Sequence, residues 1–267
     1  VDVPSSIHVS LHGITKAFES RLGRTEALGP IDINLRRGEF FAVVGPSGCG
    51  KSTLLDIIAG LSPPSAGNVA FEGQPIGTGV PDGVGVVFQE NACFPWLNVA
   101  DNIVFGLRRQ AVDSAEIERR LQYALQLMGL NEFARAFPSQ LSGGMRQRVC
   151  IARTLVMQPR LILLDEPFGA LDQQTRLLMG DELLRIWRAT GATVLLITHA
   201  LDEAAMLADR VAVMSARPGR ILEVIETRWP RDRDSEIVSA PEFGPITARL
   251  WKLLRTQSMY ALRPETI

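Results

Sequence analysis

The stretch Gly45-Pro46-Ser47-Gly48-Cys49-Gly50-Lys51-Ser52-Thr53 carries the strongest chemical pattern in the chain. It matches G-x-x-x-x-G-K-[ST], in which glycines let backbone N–H groups converge on phosphate oxygens where side chains would block the approach. Lys51 supplies a mobile positive charge for β- and γ-phosphates, and the Ser52 hydroxyl is suited to ligating Mg²⁺. Every residue from Gly45 to Thr53 is therefore a candidate nucleotide contact. A glycine-rich turn could match by chance, but here an apolar run precedes the pattern and a helical one follows it.

The run Leu161 to Leu164 ends in two adjacent carboxylates, Asp165 and Glu166. Asp165 is suited to hold Mg²⁺ through water, and Glu166 to accept a proton from water attacking a γ-phosphate. His199 closes another apolar run, where it could sense the γ-phosphate and orient that water. Gln89 follows the run Val84 to Phe88 and could reach Mg²⁺ or water through its amide oxygen. A lone strand-edge histidine is more often structural, and an isolated glutamine means nothing, so both assignments depend on proximity to the phosphate loop.

That proximity requires particular elements. Phe40 to Val44 reads as a buried strand entered from the turn Arg36 to Glu39, and Leu54 to Ala59 as a helix ended by Gly60. Strand, glycine loop and helix in this order fit an α/β parallel sheet, which keeps ligands at the C-terminal edge of its strands. Val84 to Phe88, Leu161 to Leu164 and Val194 to Ile197 supply further core strands, with the amphipathic stretch Arg176 to Ala189 between the last two. Ile117, Leu121, Leu125 and Met128 recur about once per helical turn, so the intervening segment is a helical insert that closes with a helix opening at Leu141 to Gly144. From Ile7 to Leu35 short β-like runs alternate with turn residues. Beyond Ile225 the pattern weakens, with one short helix expected over Ile246 to Leu254. No internal repeat or low-complexity tract is evident.

Composition narrows the setting. The 28 Lys and Arg against 29 Asp and Glu give a net charge of −1, which offers no broad field for a nucleic-acid partner. The 3 cysteines show no CxxC spacing, which argues against a disulfide framework or zinc site and fits a reducing cytoplasm. No apolar run approaches the roughly 20 residues that span a bilayer, and the opening VDVPSSIHVS lacks a secretory signal pattern. Membrane contact would then come through another protein.

With LSGGM at 141 to 145 between the phosphate loop and LLDEP, the sequence resembles the nucleotide-binding subunits of ABC transporters. The resemblance runs from about Gly13 to Ile225 and takes in Gln89, Asp172 of the ALD segment and His199. It implies a RecA-like P-loop NTPase core of α/β class, with an N-terminal antiparallel β subdomain and an inserted α-helical subdomain. The ATPase domain would cover 1–225, with the insert at about 90–155, and 226–267 would form a C-terminal extension.

The same resemblance implies an ATP-hydrolysing head-to-tail pair, a homodimer or a dimer with a close paralogue. In it Ser142, Gly143 and Gly144 of one subunit face the γ-phosphate held by the other, Asp172 links the two centres, and Phe18 stacks on adenine. A single nucleotide unit followed by EPFGALD looks like the bacterial importer branch. Within that branch FPWLNVADNI and ARPGRI look most like nitrate, alkanesulfonate and taurine uptake ATPases. The implied partners are integral membrane permease subunits at the cytoplasmic face and, indirectly, an extracytoplasmic solute-binding protein. Phe94, Pro95, Trp96 and Leu97 are apolar enough to line the permease docking cleft or to pack inside the insert. Met145 stands where the family has glutamine. Cys49, at a variable position of the loop, is expected to be partly exposed and shielded from thiol reagents by ATP. A nucleic-acid-directed ABC ATPase would carry paired nucleotide units or long coiled coils, and a non-hydrolysing switch would have no use for Glu166 with His199.

Overall fold

A computed structural model describes residues 6–20, 23–89, 92–169 and 171–261. The opening five residues read for a signal, the insert's start at 90, Ala170 of the ALD segment and the end of the extension at 262–267 lie outside it. The first β region is two long antiparallel strands, β1 (Ile7–Ser20) and β2 (Gly23–Arg36), rather than several short runs. Register shifts at Leu11/Ile14, Ile14/Lys16 and Lys16/Ala17 explain the difference, because each resets the alternation of inward and outward residues.

β3 (Phe40–Val44) enters the glycine loop, and α1 (Lys51–Ile58) leaves it. β4 (Ala66–Phe71) and β5 (Gln74–Pro75) then complete a four-stranded sheet in the order β2-β1-β4-β5. After β6 (Val84–Val87) the chain departs for α2 (Val99–Arg109), α3 (Ser114–Leu127) and α4 (Gly143–Leu155). It returns through β7 (Leu161–Asp165), α5 (Gln173–Thr190), β8 (Thr193–Thr198), α6 (Leu201–Leu207), β9 (Arg210–Met214), β10 (Ile221–Glu226) and α7 (Phe243–Ala261). The second sheet has six strands in the order β10-β9-β3-β8-β7-β6, parallel except for the β9–β10 pair.

β3 is buried on both faces, as a central strand of a covered parallel sheet must be. Phe40, Ala42 and Val44 join a core with Phe168, Leu184 and Trp187, while Phe41 and Val43 face α1 and the antiparallel sheet. Leu54, Leu55, Ile57 and Ile58 of α1 pack in that second core with Val9, Leu11 and Ile31. Helix α1 is thereby clamped between two sheets, and the glycine loop is anchored by dry packing at each end.

The parallel register aligns Val44 with Thr198, Asp165 with Ile197, and Val87 with Leu164. Consequently the residues that follow these strands, among them Gly45, Gln89, Glu166 and His199, emerge at one sheet edge.

The tail departs from its sequence reading. Instead of a short helix over Ile246 to Leu254, α7 runs for 19 residues, and Phe243, Leu250 and Leu254 are buried in the helix-side core. Burying a leucine contributes about 1.5–3 kcal/mol, so two such residues anchor a helix whose Trp251 is left exposed. Upstream, Trp229 Nε1 donates to the Ala205 carbonyl at 2.6 Å, and buried Arg233 pairs with Asp209 at 2.9 Å beside the Trp187 ring. Gly244 and Pro245 in the first turn obscure the helix in the sequence, although proline is tolerated there.

Candidate nucleotide site

A cavity of about 540 Å³ opens at the shared strand edge. Ser47, Gly48, Gly50, Lys51, Ser52 and Thr53 line one side; Gln89, Glu166 and His199 another; and Phe18, Thr25, Ala27 and Arg217 the rest. Gly50 has φ 104°, and a Cβ there would lie 2.6 Å from Leu28 Cδ2 and 2.9 Å from the Ala27 carbonyl. Glycine alone fits this point, where the loop presses on β2 before turning into α1. Lys51 is buried, and its Nζ donates to the Gly45 and Pro46 carbonyls at 2.8 and 3.0 Å. The ammonium is held by the loop it serves.

Cys49 requires a correction. Its side chain is 1% exposed and faces the core containing Met214 and Leu54, not the cavity. Burial pushes its thiol above the ordinary range, so the residue offers the site its backbone and nothing nucleophilic. The expectation of a partly exposed thiol shielded by ATP is withdrawn.

Asp165 and Glu166 share a strand end yet occupy different environments. Asp165 is buried, is hydrogen-bonded by the Ser52 hydroxyl, and keeps Oδ1 without a partner. Burial raises its pKa, outweighing the Ser52 hydrogen bond and the charge of Lys51 that favour the ionised form. Glu166 instead accepts from Gln89 Nε2 at 3.2 Å and lies 3.1 Å from His199 Nδ1. Its backbone is held at φ 45°, uncommon for a non-glycine residue, while its N–H donates to the Ile197 carbonyl at 2.8 Å. The left-handed turn redirects the chain so that consecutive acids meet different partners. The orphaned oxygen of Asp165, the Ser52 hydroxyl and the Gln89 amide oxygen form an all-oxygen donor set that suits Mg²⁺, which binds through few protein ligands.

Ser142, Gly143 and Gly144 do not line this cavity. They form the start of α4, where the Ser142 hydroxyl caps the helix by accepting from the Met145 N–H at 3.2 Å. Met145 is half-buried against the helix-side core. Asp172 likewise caps α5, accepting from the Thr175 N–H at 3.0 Å and its hydroxyl at 2.6 Å. Phe18 is 46% exposed at the cavity mouth, with Lys16 Nζ 5.2 Å from its ring centroid. The ring presents exposed aromatic surface at that mouth.

The Phe94 to Leu97 segment divides between the two expected placements. Phe94 packs on Phe105 and beneath Arg153, whereas Trp96 is 69% exposed and stacks on Phe94. Phe94, Phe105, Arg153 and Met157 line a groove of about 410 Å³ between β6 and the helical insert. Sequence reasoning missed Thr25, Ala27 and Arg217, which reach the cavity from strands and turns with no phosphate motif of their own.

The strand, phosphate loop and helix, with a carboxylate pair at the end of a strand of the same sheet, one strand removed, define a P-loop NTPase core carrying an antiparallel β subdomain and a helical insert. The ABC transporter family matches residues 28–169. Over 93% of this chain and 96% of the relative, the sequence is 40% identical to a nitrate import ATP-binding protein of Synechocystis sp.. It is 42% identical to a taurine import ATP-binding protein of Pseudomonas aeruginosa, over 91% of this chain and 94% of that one. A dimeric ATP-binding cassette solved in a post-hydrolysis state with ADP and Pi superposes with TM-score 0.75 at 31% identity, covering 83% of this chain and 100% of that one. The chain belongs to the ATP-binding subunits of ABC transporters and is an ATPase of that family. Among the described residues no helix is long and apolar enough to cross a membrane.

Proposed function

We propose that this chain powers uptake of a small anionic or zwitterionic solute of the nitrate, sulfonate or taurine class by closing and reopening a head-to-tail dimer. The observation that carries this reading is the separation of its two phosphate-directed elements. The glycine loop, Gln89, Glu166 and His199 converge on one cavity, while the Ser142-Gly143-Gly144 helix start lies outside it. A capped, glycine-bearing helix N-terminus is an anion site, and a second copy, or a close paralogue, supplies the anion. The dimeric relative with ADP and Pi supports this arrangement.

Within each composite site Phe18 stacks on the base, the loop N–H groups from Pro46-flanked Ser47 to Thr53 cradle the phosphates, and Lys51 moves from its own loop carbonyls to phosphate oxygens. Ser52, Asp165 and Gln89 would hold Mg²⁺, which neutralises charge on the β- and γ-phosphates when bound. Glu166 accepts the proton of the attacking water, and His199, 3.1 Å from Glu166 Oε2, keeps that carboxylate oriented. Asp172, at the start of α5, carries the state of one site to the other.

The groove beside Phe94 and Trp96 receives a helix from an integral membrane permease at the cytoplasmic face, with an extracytoplasmic binding protein delivering solute on the far side. Gln89, two residues past β6, lines the nucleotide cavity, while β6 itself borders the groove, so β6 and Gln89 couple docking to the cavity. Residues 1–225 act as the ATPase domain with the insert at about 90–155, and 226–267 form a C-terminal extension whose described part braces it.

Light scattering on Glu166→Gln provides the test. With Mg-ATP the variant should double in mass, and with EDTA it should return to the monomer. A monomer at saturating Mg-ATP would reject the two-chain site.

A further inference from the structure

Arg217 reaches the cavity from the turn between β9 and β10, far in sequence from every phosphate-binding element. Its Nε and one terminal nitrogen both donate to the Gly48 carbonyl, at 3.2 and 3.0 Å, placing the guanidinium on the apex of the glycine loop. Among the described residues no carboxylate forms a salt bridge with it. Lys51 and Arg217 are the two permanently charged cations that line the cavity. The first is buried against loop carbonyls, and the second lies exposed at the edge.

The turn is built to stay there. Gly219 donates to the Ala27 carbonyl and accepts from the Gly29 N–H, both at 2.9 Å, which ties the turn to β2. A Cβ on Gly219 would lie 2.2 Å from the Cys49 carbonyl, so the turn touches the glycine loop backbone directly. Ser215 closes it, its Oγ donating to the Pro218 carbonyl at 3.1 Å and accepting from the Arg220 N–H at 3.0 Å. From the other side Gln257 of α7 accepts from the Ala216 N–H at 3.1 Å. The C-terminal helix therefore braces the segment that carries Arg217.

We propose that Arg217 is a second cationic contact for the nucleotide's polyphosphate and that Gln257 positions it. This rests on the reading of the cavity as the nucleotide site. A guanidinium that lines the cavity without a carboxylate partner forms charge-assisted hydrogen bonds with phosphate oxygens that a neutral residue cannot. Because Arg217 is exposed, its substitution leaves the fold intact.

The experiment compares full-length wild type with Arg217→Gln, Arg217→Lys, Gln257→Ala and Lys51→Ala, measuring Mg-ATP affinity, KM and kcat, and competition by inorganic tripolyphosphate. For Arg217→Gln, Kd and KM should rise about five- to tenfold while kcat changes less than twofold, and the tripolyphosphate inhibition constant should rise by the same factor. Arg217→Lys should recover part of the loss, and Gln257→Ala should raise KM about twofold without altering kcat. Unchanged nucleotide affinity in Arg217→Gln, or a changed ATP affinity with unchanged tripolyphosphate inhibition, would overturn the contact. If Lys51→Ala also left affinity untouched, the nucleotide-site reading would fail first.

Discussion

The cavity and the start of α4, the two regions we propose to meet phosphate, differ in completeness. Around the cavity, buried Lys51, orphaned Asp165 Oδ1 and the Gln89–Glu166–His199 cluster come together within one chain. At α4, the Ser142 hydroxyl is engaged with its own helix, and Gly143 and Gly144 line no part of the cavity. In the proposed pair, the first region is a finished half-site and the second is offered to the partner chain. The difference teaches where the proposed sharing of catalysis between two chains must show itself: the two regions should fail in different ways when altered.

The largest effect should follow Glu166→Gln. Turnover should fall by about 10²–10⁴-fold, as for a lost general base, while nucleotide affinity is retained. Rapid-quench phosphate release beside equilibrium nucleotide titration measures both, and a fully active variant would remove Glu166 from the chemistry. Next, Lys51→Ala should weaken Mg-ATP binding by about 10–100-fold, the scale of a lost charged hydrogen bond, and calorimetric titration reads this directly. Together these substitutions separate chemistry from binding within the finished half-site.

A smaller effect tests what supports His199. Glu203 is buried, accepts from the Thr198 hydroxyl at 2.6 Å, and has its pKa raised to about 7, chiefly by burial. Its native pKa lies above the ordinary value of 4.5. Its contribution to stability is therefore complete below about pH 4.5 and is lost as pH rises through about 7. Glu203→Gln should abolish that slope, changing relative stability by roughly 1–3 kcal/mol across the window in pH-dependent denaturant melts. A variant with the wild-type pH profile would show that Glu203 keeps its charge when folded. The smallest expected effect concerns Cys49: native protein should resist thiol reagents at this position equally with and without Mg-ATP, because packing rather than nucleotide covers the sulfur. Protection that appears only with nucleotide, read by peptide mass mapping, would restore the cavity-facing placement.

The sequence exposed most of what is repetitive or sterically demanding. The phosphate loop, the strand-end acids and the helical insert were legible because glycine spacing, apolar runs and helical periodicity each have one common physical cause. Less legible were features set by long-range packing. Cys49 reads as a loop residue beside phosphates, but the loop's path points its side chain into the core behind Gly45. Arg217 lies in the ARPGRI segment, which carries no phosphate-binding pattern, and its place at the cavity follows only from the turn between β9 and β10 lying against β2. The β1 bulges and the proline-bearing start of α7 hide regular elements, since both interrupt the periodicity by which such elements are recognised. For the signature segment, the sequence conveyed identity through resemblance, while the structure adds that the segment lies outside its own chain's cavity.

Mixing two inactive variants tests that need most directly. Lys51→Ala disables the finished half-site, and Ser142→Arg blocks the half offered to the partner. A 1:1 mixture of the two should regain ATPase activity, up to about a quarter of wild type, since half the dimers would hold one intact composite site. Recovery absent from either variant alone is the predicted result. Wild-type turnover in Ser142→Arg alone, or no recovery in mixtures shown to exchange subunits, would contradict a site shared between two chains.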